Sequence, residues 1–314
     1  MKKALIVGIN HYSSLPLQGC INDAKEIEKL LGKNEDNSPN FDCKTLLSKE
    51  SSAGSSDISS SDLENGIRDL FSTESEIALF YFSGHGDCDQ EGVSYLTAQD
   101  GSRFDMSRIT TFIEKSKAKE CVILLDCCFS DGVGDVPQFK ITHLREGVSI
   151  LAACKNNQLA SERGGAGLFT SLVCDALRGS ASDLLGRITA TSIYAHVEPI
   201  FNAWEQRPLF KTHVSKSTTL RKCNPHIDLQ ILRDLSKLFP TFNSNYKLDK
   251  SYEPTESRPN PNHKIFSDLQ KCRANGLIKL DKEDHMYYEA MNNGTCSLTP
   301  LGQFYWHLAW AGRI

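Results

Sequence analysis

The sequence predicts a doubly wound α/β fold, in which helices cover both faces of a mostly parallel sheet. Apolar runs alternate with amphipathic segments along the first two thirds of the chain. Several runs are continuously apolar, which is typical of strands buried on both faces of a parallel sheet. Two of them, at 77–82 and 122–125, end abruptly in polar residues. Because ligands and catalytic groups collect at the carboxyl ends of parallel strands, we expect a site there.

The first half of the chain provides most of the predicted sheet. Residues 3–9 predict a central strand, and residues 19–31 a helix with Asn22 as its N-cap. A strand is predicted at 41–47. Ser61-Asp62-Leu63-Glu64 has the capping-box pattern and predicts a helix that begins there and ends at residue 70. The further elements expected in this half are strands at 77–82, 93–97 and 122–125 and a helix at 106–117.

The second half completes the sheet and then changes in composition. We expect a polar loop at 129–147, strands at 148–154 and 208–214, and helices at 167–177 and 192–201. The composition shifts near residue 222, and residues 240–264 contain four prolines, which indicates a linker or long loop. The order beyond it is helix 265–274, strand 276–280, strand 286–290 and helix 299–310, which is that of a winged-helix module. The predicted domains are therefore 1–221 and 222–314.

Composition limits the function classes. The 314 residues are 39% hydrophobic and 24% charged, as in a folded, soluble protein, and the net charge of -4 gives no general case for nucleic acid or anionic membranes. No segment approaches the roughly 20 apolar residues that a membrane span requires, and the N-terminus lacks the features of a signal peptide. The eleven cysteines are scattered and odd in number. They indicate reduced thiols in a cytoplasmic protein.

Cys128 and His85 follow the two apolar runs that end in polar residues. A thiol becomes a strong nucleophile as its thiolate, which an adjacent imidazole promotes. A buried structural cysteine and a loop histidine would be the ordinary interpretation of each residue alone. A zinc site formed by His85, Cys88, Cys127 and Cys128 is a second alternative. Adjacent cysteines are awkward ligands for one tetrahedral ion, and the sequence has no CxxC pair.

Five segments carry a family resemblance: residues 19–24 (GCINDA), 83–86 (SGHG), 126–130 (DCCFS), 153–158 (ACKNNQ) and 167–170 (GLFT). They resemble motifs of the caspase-like cysteine peptidases of clan CD and are most similar to the metacaspase and bacterial orthocaspase branch. The resemblance covers residues 3–215. It implies a caspase-like fold with a mostly parallel six-stranded sheet, a large-subunit part at 1–135 and a small-subunit part at 148–221.

The resemblance also assigns roles within a peptidase site. Cys128 would be the nucleophile, His85 the general base, and the backbone N–H groups of Gly86 and Cys128 the oxyanion hole. The pocket for the residue before the scissile bond would be lined by Cys20, Asp23, Ser83 and Asp126. Two carboxylates make such a pocket anionic, and Arg fits a carboxylate pair with bidentate geometry. We therefore expect a cysteine endopeptidase that cleaves polypeptides after Arg, or less well after Lys.

Some positions depart from the family pattern. Phe129-Ser130-Asp131 stands where the branch usually has His-Ser-Gly. Asp100 and Asp135 lie near the branch's calcium aspartates and are candidate calcium ligands. Too few acids accompany them for the six to eight oxygens that calcium takes, so we expect no cofactor, with calcium as the alternative. The loop at 131–147 matches the region where these enzymes are nicked. Lys140 and Arg145 are its candidate self-cleavage sites, and the resemblance suggests a cell-death or defence pathway.

Residues 222–314 support a competing hypothesis, in which the caspase-like part is a scaffold for a regulator that binds DNA or protein. Lys264, Lys271 and Arg273 lie on or near the helix that would contact DNA in a winged-helix module. The segment holds 12 Lys and Arg against 10 Asp and Glu, which is weak for a phosphate-binding surface. A regulatory protein partner is therefore at least as well supported as nucleic acid.

Overall fold

The computed structural model describes residues 1–50, 57–91, 93–128, 144–153, 167–200, 208–256 and 258–314, and for Cys128 the backbone alone. These residues form two compact units. One contains residues 1–182 and 186–224, and the other contains residues 183–185 and 225–314.

The first unit is built on a central β-sheet flanked by helices. Its strands are β1 (Lys2–Gly8), β2 (Phe41–Leu47), β3 (Ile77–Cys88), β4 (Ser94–Thr97), β5 (Arg103–Asp105), β6 (Glu120–Cys128), β7 (Val148–Ala152), β8 (Arg187–Ile188), β9 (Leu209–His213) and β10 (Arg221–Lys222). Its helices are α1 (Cys20–Gly32), α2 (Ser60–Ser72), α3 (Ser107–Glu114), α4 (Leu168–Asp175) and α5 (Ala190–Val197). A π-helical turn, Ala176–Ser180, extends α4.

The central sheet has the strand order β2-β1-β3-β6-β7-β9. Every neighbouring pair is parallel except β7 and β9, which are antiparallel. The predicted mostly parallel six-stranded sheet is therefore confirmed. The small strands β4 and β5 extend from the end of β3, and β8 pairs with β10 in a separate ribbon. Neither β5 nor the ribbon was predicted, because strands of two or three residues have too few positions to show a pattern.

Both faces of this sheet are buried, as its continuous apolar strands predicted. In β3, Phe80 and Phe82 lie in one apolar layer, whereas Leu79 and Tyr81 lie in the other. Side chains alternate between the faces of a strand, so a strand with an apolar layer on each side must be apolar at every position.

Three predicted boundaries need correction. The strand predicted at 77–82 continues through His85 to Cys88, because its end pairs with β4 as well as β6. The capping box is formed by Ser59 and Asp62 rather than Ser61 and Glu64, so α2 begins at Ser60. Asn22 lies inside α1, whose N-cap is Gly19.

The second unit contains a three-stranded antiparallel sheet with four helices. Its elements are α6 (Leu229–Leu238), β11 (Asn245–Lys247), α7 (Asn262–Ala274), β12 (Ile278–Leu280), α8 (Met286–Met291), β13 (Thr295–Leu298) and α9 (Pro300–Trp310). The strand order is β11-β13-β12. Phe239, Phe266 and Trp306 are among the residues of its own apolar core.

Two predictions for this unit were wrong. The strand predicted at 286–290 is helix α8, where the side chain of His285 accepts a hydrogen bond from the Tyr287 N–H. The strand that pairs with β12 is β13 instead. The predicted linker at 240–264 contains β11, a 3₁₀ turn at Lys250–Tyr252 and the start of α7. Along the described part of the chain, no helix is long and apolar enough to cross a membrane.

Candidate active site

The backbone of the parallel strands β3 and β6 sets the central geometry of the site. The two strands pair in register from Ile77 and Glu120 onward. The last three pairs are Ser83 with Asp126, Gly84 with Cys127, and His85 with Cys128. The positions predicted to carry the base and the nucleophile are therefore directly opposite each other at the carboxyl ends of neighbouring strands.

The imidazole of His85 is oriented by a backbone carbonyl. Its Nε2 lies 2.7 Å from the carbonyl oxygen of Leu15, in the loop between β1 and α1. A carbonyl only accepts hydrogen bonds, so the proton of the neutral ring is on Nε2 and Nδ1 is the basic nitrogen. Leu15 has φ of 56°, a left-handed conformation that is uncommon for residues other than glycine. The loop therefore directs this carbonyl at the ring through an unusual backbone conformation.

Tyr12, from the same loop, contacts both the backbone and the ring of His85. The His85 N–H donates to the Tyr12 Oη over 2.9 Å, and the Tyr12 hydroxyl donates to the Thr97 carbonyl over 3.1 Å. The rings of Tyr12 and His85 have centroids 4.5 Å apart. A Cβ at Gly84 would lie 2.5 Å from the Tyr12 Oη. Glycine at position 84 therefore allows the close approach of this phenol.

Two buried carboxylates lie together beside the start of α4. Asp23 lies on α1 and Asp126 on β6, and each of the two residues is only 4% exposed. The Gly167 N–H donates to Asp23 Oδ2 over 3.1 Å, whereas Thr170 donates to Asp126 Oδ2 from its hydroxyl over 2.6 Å and from its N–H over 3.3 Å. A Cβ at Gly167 would lie 2.5 Å from Asp126 Oδ2 and 3.4 Å from Asp23 Oδ2. Both carboxylates therefore converge on this glycine.

A phenol extends the hydrogen-bond network of Asp126. Tyr81 Oη lies 2.7 Å from Thr170 Oγ1, and both residues are buried. Because Thr170 gives its only hydroxyl hydrogen to Asp126, Tyr81 is the donor to Thr170. Burial, reinforced by the charges of Asp126 and Asp23, raises the pKa of Tyr81 well above its usual value. Tyr81 is therefore a neutral hydrogen-bond donor.

The other predicted pocket residues lie near these groups. Ser83 is buried on β3, in register with Asp126 and two positions from Tyr81. Cys20 is buried at the first position of α1. Its carbonyl would lie 2.5 Å from a Cβ at Gly8, so glycine at the end of β1 allows the helix to pack closely there. Gly86 lies on β3 in register with Leu96 of β4.

The predicted cleavage and calcium residues lie apart from the site or outside the described residues. Asp100 Oδ1 accepts from the Ser102 N–H over 2.8 Å in the turn after β4, which is a structural role. Asp135 and Lys140 lie outside the described residues. The guanidinium of Arg145 donates to the carbonyls of Ile113 and Ala118 over 2.9 and 2.8 Å. Cleavage after Arg145 would first require breaking these bonds.

The described residues do not favour a metal centre. No group of three or more His, Cys, Asp or Glu that could hold a metal ion occurs among them. Cys127, one of the four ligands in the zinc alternative, is buried in the apolar layer that contains Phe80 and Phe82. Asp100, the calcium candidate among the described residues, is bonded to Ser102 within its own turn.

Four contributors to the site were not recognised from sequence: Tyr12, the Leu15 carbonyl, Tyr81 and Thr170. Tyr81 is part of an apolar strand run, and a backbone carbonyl has no sequence signal. Tyr12 and Thr170 offered a weak signal, because Tyr12 follows the end of the first predicted strand and Thr170 is the last residue of the motif at 167–170. Polar groups next to a motif are candidates for contact with its charged residues.

Comparison with known proteins identifies the class to which this fold and site belong. The family model described as the caspase domain matches residues 1–220, and the chain belongs to this family. The family is that of caspase-like cysteine peptidases, whose substrates are polypeptides. The search of curated proteins returned no match.

Two solved structures support the same fold. A protein from Geobacter sulfurreducens matches with a TM-score of 0.52 at 16% identity, covering 72% of this chain and 98% of that chain. Caspase-1 from Spodoptera frugiperda matches with a TM-score of 0.50 at 12% identity, covering 71% of this chain and 90% of that chain. At such identities the likeness concerns the fold alone.

Proposed function

We propose that this chain is a cysteine endopeptidase of the metacaspase or orthocaspase type that cleaves polypeptides after Arg, and less well after Lys. The observation that carries the proposal is the register of β3 and β6, in which His85 and Cys128 are partners. Cys128 attacks the scissile carbonyl as a thiolate and forms a thioester, while His85 gives a proton to the leaving amine. Water then hydrolyses the thioester, with His85 as the base.

The tautomer of His85 supports its role as the base. The Leu15 carbonyl accepts from Nε2, which leaves Nδ1 as the nitrogen that takes the proton of the thiol. A nucleophile, a base and a group that orients the base form the usual arrangement in nucleophilic catalysis. Here the orienting group is neutral, and it fixes the ring without adding a charge.

The strand geometry supports the proposed oxyanion hole at the Gly86 N–H. Successive N–H groups along a strand point to opposite sides. The His85 N–H points toward Tyr12 and the β4 residue Thr97, so the next N–H, that of Gly86, points away from β4. The Gly86 N–H therefore points to the side of β3 on which β6 lies.

The two buried carboxylates support specificity for a basic side chain. Asp23 and Asp126 approach one glycine, and Ser83 lies in register with Asp126 at the same sheet edge. A guanidinium can bind two carboxylates through its fork of N–H donors, whereas an ammonium is a compact point charge. Arg is therefore preferred to Lys, and an acidic side chain is repelled.

The proposal is tested with peptides that differ only in the residue before the scissile bond: Arg, Lys, citrulline or Asp. We expect cleavage after Arg to be fastest and after citrulline at least about 100-fold slower, because citrulline has the shape of Arg without its charge. Cys128→Ala should abolish cleavage. Cys127→Ala is the matched control, since Cys127 lies in the apolar layer, and it should retain activity.

Three results would contradict the proposal. Cleavage that survives Cys128→Ala removes the thiol mechanism. Equal rates after Arg and citrulline remove recognition by charge. Cleavage only after Asp reverses the specificity.

We also propose that the second unit is a winged-helix-like module with a regulatory protein partner. Its three-stranded antiparallel sheet, with α7 immediately before β12, supports this architecture. Lys264 and Lys271 of α7 both lie within salt-bridge distance of Asp268, which reduces the charge available for phosphates. A gel shift of the full chain at low salt tests the nucleic-acid alternative. A salt-sensitive shift would favour DNA over a protein partner, and no shift would leave the nucleic-acid alternative unsupported.

A further inference from the structure

We propose that Tyr12 is a positioning residue for the reaction, which holds both the backbone and the ring of His85 in place. The inference rests on the proposed function, because it assumes that His85 is the base. It adds a residue that lies outside the paired histidine and cysteine motifs and that forms none of the predicted substrate pocket.

The Tyr12 hydroxyl replaces a hydrogen bond of the sheet. Strands β3 and β4 pair antiparallel through Cys88 with Ser94, Asp87 with Tyr95 and Gly86 with Leu96. The next pair in this register is His85 with Thr97. The His85 N–H instead donates to the Tyr12 Oη, and the Tyr12 hydroxyl donates to the Thr97 carbonyl. The phenol is thus inserted at the point where the two backbones would otherwise bond directly.

This insertion determines where the backbone of His85 lies. A direct N–H···O bond spans about 2.9 Å, whereas a bridge through a hydroxyl holds the same two groups much farther apart. Strand β1 ends at Gly8, opposite Ser83, so it supplies no backbone partner at the position of His85. The loop after β1 provides Tyr12 in its place. Without the hydroxyl, the His85 N–H has no acceptor and its link to the Thr97 carbonyl is lost, so the backbone of His85 is no longer held at a fixed position beside β6.

The Tyr12 ring also contacts the side chain of His85 and restrains the imidazole. Its centroid lies 4.5 Å from that of the imidazole, with the planes tilted by 51°. Tyr12 is 8% exposed, so the surrounding core holds it in turn. Burial also raises the pKa of Tyr12, which keeps the hydroxyl able to donate and accept at once. The Leu15 carbonyl fixes the tilt of the imidazole, and Tyr12 supports its face.

Gly84 gives an independent indication that the hydroxyl must reach this point. A Cβ at Gly84 would lie 2.5 Å from Tyr12 Oη and 2.9 Å from the Phe82 ring. Any larger residue would push the hydroxyl out of the ladder. The substitution Gly84→Ala is therefore a second way to displace Tyr12 without changing it.

The test compares Tyr12→Phe with wild type in two measurements. With an Arg peptide, we expect kcat to fall about 10- to 100-fold while KM stays within about twofold, because the base moves but the acidic pocket does not. In amide hydrogen exchange followed by NMR, we expect the His85 amide to exchange at least about tenfold faster, since it loses its acceptor, while the Phe80 amide in the same strand is unchanged. Gly84→Ala should give the same pair of effects.

Tyr95→Phe is the matched control, because it removes a neighbouring phenol of β4 that donates to Asp89 Oδ2 over 2.9 Å. It should change neither kcat nor the exchange of the His85 amide. The inference is overturned if Tyr12→Phe retains wild-type kcat, or if Tyr95→Phe lowers kcat equally. If the wild type cleaves no Arg or Lys peptide, the proposed function fails. The exchange experiment still decides whether Tyr12 holds His85, and unchanged exchange would overturn that.

Discussion

At the scale of single residues, the positions of the Asp23 and Asp126 carboxylates are set by the groups that contact them at the start of α4. Gly167 donates to one and lies against the other, and Thr170 donates twice to Asp126. A carboxylate oxygen accepts hydrogen bonds from N–H and O–H donors, and these bonds fix its orientation. The segment at 167–170 therefore does more than begin a helix, since it sets the position of both acids.

The substitution Gly167→Ala tests this arrangement. Its methyl group would lie 2.5 Å from Asp126 Oδ2, so the carboxylate must move. We expect KM for an Arg peptide to rise at least about tenfold with a smaller change in kcat, because the substitution disturbs binding rather than the dyad. Gly32→Ala is the control, since a Cβ there meets nothing within 4 Å. Equal kinetics for the two variants would show that the pocket does not depend on Gly167.

The buried thiols of Cys174, Cys272 and Cys296 predict how stability depends on pH. Burial raises the pKa of each to about 12. An unfolded cysteine has a pKa of about 8.5, so the folded state holds these protons more tightly. Their contribution to the free energy of unfolding is complete below about pH 8.5 and is lost progressively as the pH rises toward 12.

Urea denaturation between pH 7 and 10 measures this effect, and we expect a flat region followed by a fall above about pH 9. Iodoacetamide at pH 7.5 should label these three thiols in the denatured protein but not in the folded one, as read by peptide mass spectrometry. Rapid labelling of the folded protein at these positions would contradict their burial.

At the scale of elements, the start of α2 shows how local chemistry sets a boundary. Ser59 and Asp62 form a reciprocal capping box, in which each side chain bonds the other's backbone N–H. Glu64, which the sequence pattern paired with Ser61, instead binds Arg108. Two overlapping patterns fit this segment, and the contact with α3 takes Glu64 away from the cap.

Ser59→Ala should lower the free energy of unfolding by about 1 kcal/mol, the usual cost of losing an N-cap. Ser61→Ala should be neutral or slightly stabilising, because Ser61 is an exposed residue inside the helix and Ala is the better helix former. Chemical denaturation of both variants measures the difference. A larger loss of stability in Ser61→Ala than in Ser59→Ala would indicate that Ser61 is the N-cap.

The central strands were predictable because burial on both faces leaves a continuous apolar run. Strands β1, β2 and β7 lie within two residues of the predicted bounds. The extension of β3 through His85 was not predictable, since Ser83, Gly84 and His85 look like a loop and are held in a strand by partners distant in sequence. Helix α8 was missed because Tyr287 and Tyr288 resemble strand residues.

At the scale of the whole molecule, the chain has two units with separate cores. In the second unit, a single carboxylate holds the segment between β12 and β13. Glu289 is fully buried, and its oxygens accept from the N–H groups of Lys282, Glu283 and Thr295. A Cβ at Gly294 would collide with the same carboxylate.

Glu289→Gln should destabilise the second unit by about 2–4 kcal/mol, because an amide NH₂ would face backbone donors in a buried site. We expect faster hydrogen exchange across residues 225–314 and unchanged exchange in β1, β3 and β6. Asp281→Asn is the control, since Asp281 is exposed on the same segment. Uniform acceleration in both units would show that their stabilities are not separate.

The site as a whole was predictable in its chemistry but not in its supports. His85, Cys128, Asp23 and Asp126 stand in recognisable motifs, and the expected closeness of the two strand ends follows from a parallel sheet. The positions of Tyr12 and Thr170 depend on contacts across 73 and 44 residues of chain. No local pattern records such contacts, which arise only when the sheet has assembled.

The sequence of β6 also favours the register in which Cys128, rather than the adjacent Cys127, pairs with His85. If β6 slid by one position, Cys127 would stand opposite His85, and a thiol would still be available there. The same slip would bring Asp126 opposite Gly84, on the face where Phe80 and Phe82 form a dry layer. Burial of the Asp126 carboxylate in that apolar layer would cost free energy, so Asp126 disfavours the shifted register.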